Sequence, residues 1–220
     1  ETDSTNLWGK RAWREEGAGH GELFVAEYQS AGRGRFTRRW SAPPDSAITM
    51  SILICPKFSP QKAPMLTLVM GLSVAQAVAE IGLDVGIKWP NDVVVSRKKI
   101  CGILTEMTMK QDKIGCAVIG VGINVNMKSF PEEMADKATS LYLESGHPFD
   151  RAQVVGLVMK HFEENYERFV QTEDLSGLKP DYEKMLANLN HDRTIFPSLK
   201  LCIKHRLALL NQALTLREIK

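Results

Sequence analysis

The stretch Gln29–Trp40, Q-S-A-G-R-G-R-F-T-R-R-W, sets four arginines (Arg33, Arg35, Arg38 and Arg39) on a glycine-bearing run. Glycine lets a backbone take positive φ and approach a ligand closely. Guanidinium forks match carboxylate and phosphate oxygens bidentately. Such a loop is equipped to gather two anions that would otherwise repel, such as a carboxylate and a nucleotide triphosphate. A basic surface loop or a nucleic-acid patch competes with this interpretation. It is weakened because Trp40 and the preceding apolar run tie the loop to a core. The run is no dinucleotide-binding fingerprint, since Thr37 stands where a third glycine is needed, and the chain contains no Walker A sequence.

Three further stretches carry polar groups in apolar surroundings. Lys88–Glu106 reads K-W-P-N-D-V-V-V-S-R-K-K-I-C-G-I-L-T-E. A hairpin of Val93–Val95 with Ile100–Leu104, turning near Ser96–Lys98, would set Asp92 nearly opposite Lys99. A lysine entering a core must be paired or must serve an anionic ligand; a salt-bridged hairpin and an anion site remain equally open. Ile119–Asn126, I-G-V-G-I-N-V-N, places Gly120 and Gly122 in a β run and Asn124 where it could meet an adenine or ribose edge. A simple β-bulge is the favoured account of those glycines. Asp3-Ser4-Thr5-Asn6 reads as the N-cap of a helix beginning near Leu7, whose free N–H groups could also face a ligand. Met107 and Met109 read as packing residues, and His20, His147 and His161 as solvated or satisfied ones.

The elements that must position these groups follow from periodicity. Gly21–Gln29 and Ala47–Cys55 read as buried strands. Pro64–Leu83 has helical apolar spacing, with proline at its start and Gly82 near its end. A dense β region follows: Val85–Trp89, Asp92–Val95, Lys99–Met107 and Lys113–Val125. Asp150–Val170 returns to helical spacing behind Asp150 as N-cap. Strands interrupted by long helices, without repeats, predict an α+β fold with a mixed sheet flanked by helices.

Composition narrows the field. The chain has 220 residues, 44% of them hydrophobic, and a formal net charge of +2. That is ordinary for a globular protein and gives no global field for DNA or an anionic membrane. Cys55, Cys101, Cys116 and Cys202 lack Cys-x-x-Cys spacing, so reduced thiols are expected and no metal ligands are assigned. No signal peptide and no membrane-spanning run is expected, which points to a cytoplasmic location.

Together the motifs resemble those of biotin protein ligases, the biotin–[acetyl-CoA-carboxylase] ligases. The matching pieces are S-T-N at Ser4–Asn6, Q-S-A-G-R-G-R at Gln29–Arg35 and K-W-P-N-D at Lys88–Asp92. K-I-C-G-I-L-T-E at Lys99–Glu106 and G-V-G-I-N at Gly120–Asn124 complete the set. The resemblance implies a fold related to class II aminoacyl-tRNA synthetases and lipoate ligases. It implies that biotin attacks the α-phosphorus of MgATP to give biotinyl-5′-AMP and pyrophosphate. A lysine of a biotin carboxyl carrier protein then takes the biotinyl group and releases AMP.

The implied biotin site comprises Ser4, Thr5, Asn6, Gln29, Arg33, Gly34, Arg35, Lys99, Gly102 and Gly120. Of these, Ser4, Thr5 and Gln29 would bind the ureido head. ATP would meet Arg33, Arg35, Arg38, Asn91 and Asn124. Lys99 and Arg35 would act at the reacting carboxylate and phosphate, and Asp92 would orient or deprotonate the incoming lysine. ATP and biotin are substrates and Mg2+ accompanies the nucleotide. A carrier protein is the expected partner, with no DNA, no membrane, and a homodimer left open.

The chain also departs from the family. It opens at the first motif with Glu1, without the helix-turn-helix of many members or the strand that usually precedes S-T-N. The expected division is a catalytic domain at 1–189 and a divergent or truncated tail at 190–220. From Asn188 onward there is no glycine for an SH3-like barrel, and 199–220 reads as a basic, leucine-rich, helical tail. Rival readings are a lipoate or octanoate ligase of the same fold, a relic that binds biotin without transferring it, and a DNA-binding repressor. The repressor lacks a reader helix.

Overall fold

The computed structural model describes residues 1–36 and 38–187. The described residues form one compact unit, Glu1–Ala187. The boundary expected at 189 and the helical tail expected beyond it lie outside the described residues.

Six strands form one sheet: β1 (Leu23–Ala26), β2 (Ala47–Ile54), β3 (Val85–Lys88), β4 (Asp92–Val95), β5 (Lys98–Lys110) and β6 (Lys113–Asn124). Their order is β1-β2-β6-β5-β4-β3, and every neighbouring pair is antiparallel. Parallel character enters through single bridges, Thr2 to Gln29, Ile87 to Leu186 and Lys99 to Ala138.

Strand alternation divides the sheet into two unlike faces. One carries Ile48, Met50, Ile52 and Ile54 of β2 with Ala117, Ile119, Val121 and Ile123 of β6, all buried. Two long helices cover it, α2 (Met65–Glu80) and α4 (Arg151–Thr172), which also pack on each other. Leu66, Val69, Leu72 and Val74 of α2 are wholly buried, and each such side chain contributes about 1.5–3 kcal/mol by leaving water. Buried Asn165 of α4 donates to Ser73 Oγ (3.0 Å) and Gln76 Oε1 (2.7 Å) of α2, fixing how the helices meet. As expected, Asp150 caps α4, accepting from the Ala152 N–H at 2.8 Å.

The segment Pro60–Glu80 is long and apolar enough to cross a membrane, although no such run was expected from the sequence. Its burial between the sheet and α4 accounts for that apolarity.

The other face is served by a short helix, α1 (Thr5–Arg11), over β1, β2 and β6. On this face lie Gly102, Gly120 and Gly122, and Asn6 of α1 packs against Gly120. The remaining helices, α3 (Leu141–Ser145) and α5 (Lys179–Lys184), lie on connections.

The β4–β5 hairpin forms where predicted, turning through Ser96 (φ 50°) and Arg97 (φ 65°). Two left-handed residues suit the twist of a two-residue hairpin. In the ladder Asp92 faces Gly102 rather than Lys99: the two-residue turn pairs Lys99 with Val94, and a bulge between Val93 and Val94 moves the partner of Asp92 on to Gly102. The expected bulge at the β6 glycines is absent: β6 stays in unbroken register with β5 through Gly120 and Gly122.

Leu72→Ala is expected to lower stability by about 2–5 kcal/mol, through lost burial and the cavity left behind. Urea denaturation followed by circular dichroism checks this.

Candidate active site

Helix α1 starts at Thr5, two residues before the position expected, and Ser4 at its N-cap makes no side-chain cap bond. The Asp3 carboxylate is occupied by a bidentate pair with Arg11 (2.7 and 3.0 Å) and by the Ser4 N–H. The cap comes from outside the motif: Gln29 Oε1 accepts from the Thr5 N–H at 2.7 Å and from the Thr5 hydroxyl at 3.1 Å. The bridge between Thr2 and Gln29 holds that glutamine in place.

Below Thr5 and Asn6 lies Ser51, whose hydroxyl stands 2.7 Å from Thr5 Oγ1 and 2.6 Å from Asn6 Oδ1. The Asn6 amide donates to the Leu104 carbonyl (3.2 Å) and to Glu106 Oε2 (2.9 Å). Asn6, expected in the ligand site, is thus buried and hydrogen-bonded at both ends within the protein. Gly120 makes room for it, since a Cβ there would stand 2.2 Å from Asn6 Oδ1. This close approach, not a bulge, is why glycine occurs.

Glu106 joins α1 to the arginine loop. Its carboxylate pairs with Lys10 Nζ at 2.9 Å and with Arg33 at 3.4 Å. Burial alone would raise its pKa. The Asn6 amide and the Lys10 and Arg33 charges outweigh that and hold Glu106 below its ordinary value of 4.5.

The loop folds back on itself. Gly34 N–H donates to the Arg38 carbonyl (2.8 Å), Trp40 N–H to the Gly32 carbonyl (3.0 Å), and Arg33 bridges Arg39. Exposed Phe36, at φ 54°, marks the tip. The Trp40 indole lies across the sheet: a Cβ on Gly122 would meet its ring at 2.5 Å. Its Nε1 is buried without a hydrogen-bond partner among the described residues.

Beside that indole, Lys99 Nζ pairs with Asp92 Oδ1 at 2.6 Å, although Gly102 is the ladder partner of Asp92. Lys99 pairs with Val94, two residues from Asp92, so the two side chains share a sheet face, and a Cβ on Gly102 would crowd Lys99 Cε and Nζ at 3.0 Å. Asn91 Nδ2 donates to the same carboxylate oxygen (3.1 Å), while Asn91 Oδ1 accepts from Arg35 (2.5 Å). Arg35, Asn91, Asp92 and Lys99, four residues singled out in the sequence, therefore form one continuous chain. Buried Asn124 donates to the carbonyls of Thr139 (3.0 Å) and Lys99 (3.5 Å), supporting the Lys99 backbone. The Arg38 side chain is exposed on the loop.

Ser51, Lys10 and Glu106 had no expected part, and Trp40 only that of tying the loop to the core, although Glu106 and Trp40 stand inside the quoted motifs. One signal was present: Thr49 and Ser51 alternate with Ile and Met in an otherwise apolar strand, which marks a polar spot on one sheet face.

The cationic side chains of Arg33, Arg35 and Lys99, with the Trp40 indole packed on the glycine-bearing strands, suit an anionic ligand bearing a flat or apolar part. Sequence and structure comparisons agree with that class. Residues 1–124 match the biotin/lipoate A/B protein ligase family, and the chain belongs to that family. It is 43% identical over 156 residues to the bifunctional ligase/repressor BirA of Bacillus spizizenii, covering 70% of this chain and 48% of that protein. It is 31% identical over 172 residues to the biotin–[acetyl-CoA-carboxylase] ligase of Paracoccus denitrificans, covering 73% of this chain and 68% of the relative. The Aquifex aeolicus biotin protein ligase in complex with biotin and ATP superposes with a TM-score of 0.71 at 35% identity, over 86% of this chain and 76% of that one. The chain spans about half the length of the BirA proteins it matches.

Two outcomes follow for the site. Because folded Glu106 titrates below 4.5, its contribution to stability is complete above that value and fades as pH falls through the lower folded pKa. Glu106→Gln is therefore expected to lower Tm at neutral pH, with the gap to wild type closing in acid; thermal melts across pH read this. Gly122→Ala is expected to displace the indole, seen as a red-shifted Trp emission in an otherwise folded protein.

Proposed function

We propose that this chain is an ATP-dependent biotin protein ligase, which forms biotinyl-5′-AMP and passes biotin to a lysine of a biotin carboxyl carrier protein. The observation that carries the proposal is the chain Arg35–Asn91–Asp92–Lys99 packed beside Gly102, with a cationic side chain at each end.

In the first step a biotin carboxylate oxygen attacks the α-phosphorus and pyrophosphate leaves. Negative charge grows on the phosphoryl oxygens, and Lys99 and Arg35, held nearby by Asp92 and Asn91, stabilise it. Ser4, Thr5 and Gln29, gathered at the start of α1, would bind the ureido head, with Arg33 and Gly34 of the loop also contacting biotin. The network of Ser51, Asn6 and Glu106 sets the positions of Thr5 and Arg33. The Trp40 indole offers a flat face beside Lys99 for a ring of either substrate.

Among the described residues no three His, Cys, Asp or Glu side chains converge. Mg2+ would enter with ATP, held chiefly by phosphate oxygens, as this ion commonly is. In the second step the carrier lysine must be neutral to attack the acyl carbon. Asp92 can receive its proton once Lys99 has turned towards the phosphate, and AMP leaves. The arginine loop, with Phe36 at its tip, would shield the adenylate from water. Such chemistry suits the cytoplasm, where ATP is supplied.

The test is transfer of radiolabelled biotin to a carrier domain with MgATP, with pyrophosphate release followed in the same reaction. Wild type is expected to label the carrier; Lys99→Ala and Arg35→Ala are expected to lose about 100-fold or more in kcat. Pyrophosphate release without labelled carrier would refute the transfer step and favour a protein that only makes or holds the adenylate. Neither signal from folded protein would overturn the proposal.

A further inference from the structure

The β2–β6 ladder runs in unbroken register from Ala47 opposite Asn124 to Ile54 opposite Ala117. One step further, Cys55 stands across from Cys116. Pairs in an antiparallel ladder alternate between hydrogen-bonded and non-hydrogen-bonded, and the type of this pair can be read from the neighbouring backbone. Leu53 N–H donates to the Glu22 carbonyl (2.9 Å) and the Leu53 carbonyl accepts from Gly21 N–H (2.8 Å), so its backbone polar groups point away from β6. Cys55, two residues on, points the same way, its N–H meeting His20 Nδ1 at 3.1 Å. The bonds to β6 therefore run through Ile52 and Ile54. Leu53 with Val118, and Cys55 with Cys116, are non-hydrogen-bonded pairs.

In such pairs the Cα atoms approach to about 4.5 Å and the side chains are closest. A disulfide needs Cα atoms about 4.4–6.8 Å apart. Both cysteines also share a sheet face. Cys116 is buried with Ala12, Phe24, Leu53 and Val118, and Cys55 packs against that cluster. Access is unequal: Cys116 is wholly buried and Cys55 is half-exposed.

We infer that Cys55 and Cys116 are a redox-responsive dithiol that closes into a cross-strand disulfide when a small-molecule disulfide is present. The Cys55 thiolate attacks one sulfur of that oxidant, forming a mixed disulfide and expelling a small thiolate. Cys116, on losing its proton, attacks the Cys55 sulfur, forms the intramolecular bond and expels the second thiolate. Two protons leave the protein and two electrons pass to the oxidant. The bond clips β2 to β6 beneath α1, two same-face positions along β2 from Ser51.

Burial pushes both thiols above their ordinary range, and Glu22 adds to this at Cys55. At Cys116, Thr108 and Lys10 act in the opposite direction. With His20 on the preceding turn and Tyr166 on α4 as the other titratable neighbours, exchange is slow at neutral pH and quickens as pH rises.

The experiment is incubation of the whole chain with oxidised glutathione at mildly alkaline pH, then non-reducing peptide mapping by mass spectrometry. A linked Cys55–Cys116 peptide is expected, lost on treatment with dithiothreitol and absent from Cys55→Ser and Cys116→Ala. The wild-type map decides the matter even if a variant folds poorly. Folded wild type in which Cys55 carries only glutathione, bonds to Cys101 or Cys202, or stays reduced would overturn the inference. None of these outcomes depends on the ligase reading.

Discussion

Three missing side chains on one face of the sheet are the constraint on which the site depends. Gly102, Gly120 and Gly122 are adjacent across β5 and β6, and any Cβ among them would strike Lys99, Asn6 or Trp40. A sheet face normally excludes other backbone and rings at the distance its own side chains set. Here that distance shrinks, so a helix start, a loop tryptophan and a lysine all settle onto the strands. The opposite face, with isoleucine, valine and methionine at the corresponding positions, does the reverse and anchors two long helices. One sheet thus separates the work of stability from the work of binding.

Polar groups brought this close must satisfy one another, and they do so through one carboxylate. Glu106 collects Lys10 and Asn6 from α1 and Arg33 from the loop. A half-buried carboxylate without such partners would favour its neutral form. The network keeps it charged, and so keeps the arginine loop attached to the helix that bears the Ser4 and Thr5 hydroxyls.

Much of this could be seen in the amino-acid order. Strands β2 to β6 and helices α2 and α4 follow from apolar runs, periodicity and the Asp150 cap. Motif residues that meet through local geometry, such as Lys99 and Asp92, were paired in advance. Less visible was anything set by approach from afar. Gly120 and Gly122 resemble bulge residues in isolation, and only the positions of Asn6 and Trp40 explain them. The cap of α1 was misplaced because the capping oxygen belongs to Gln29, twenty-four positions along the chain. Ser51 and Glu106 escaped attention because their partners are likewise distant in sequence. The bulge at Val93 and Val94, which sets Gly102 opposite Asp92, leaves no composition signal at all.

Helix α1 has consequences for the order in which the molecule assembles. At seven residues it is too short to persist alone in water. Its first turn is completed by Gln29, and its floor is supplied by β2 and β6. It can therefore form only after those strands have paired, and it is among the first parts to open when the fold breathes. Whatever orders the arginine loop also protects the amide hydrogens of Thr5 to Gly9 from exchange with solvent. In this molecule the readiness of the site depends on a short helix that tertiary contacts alone hold in place.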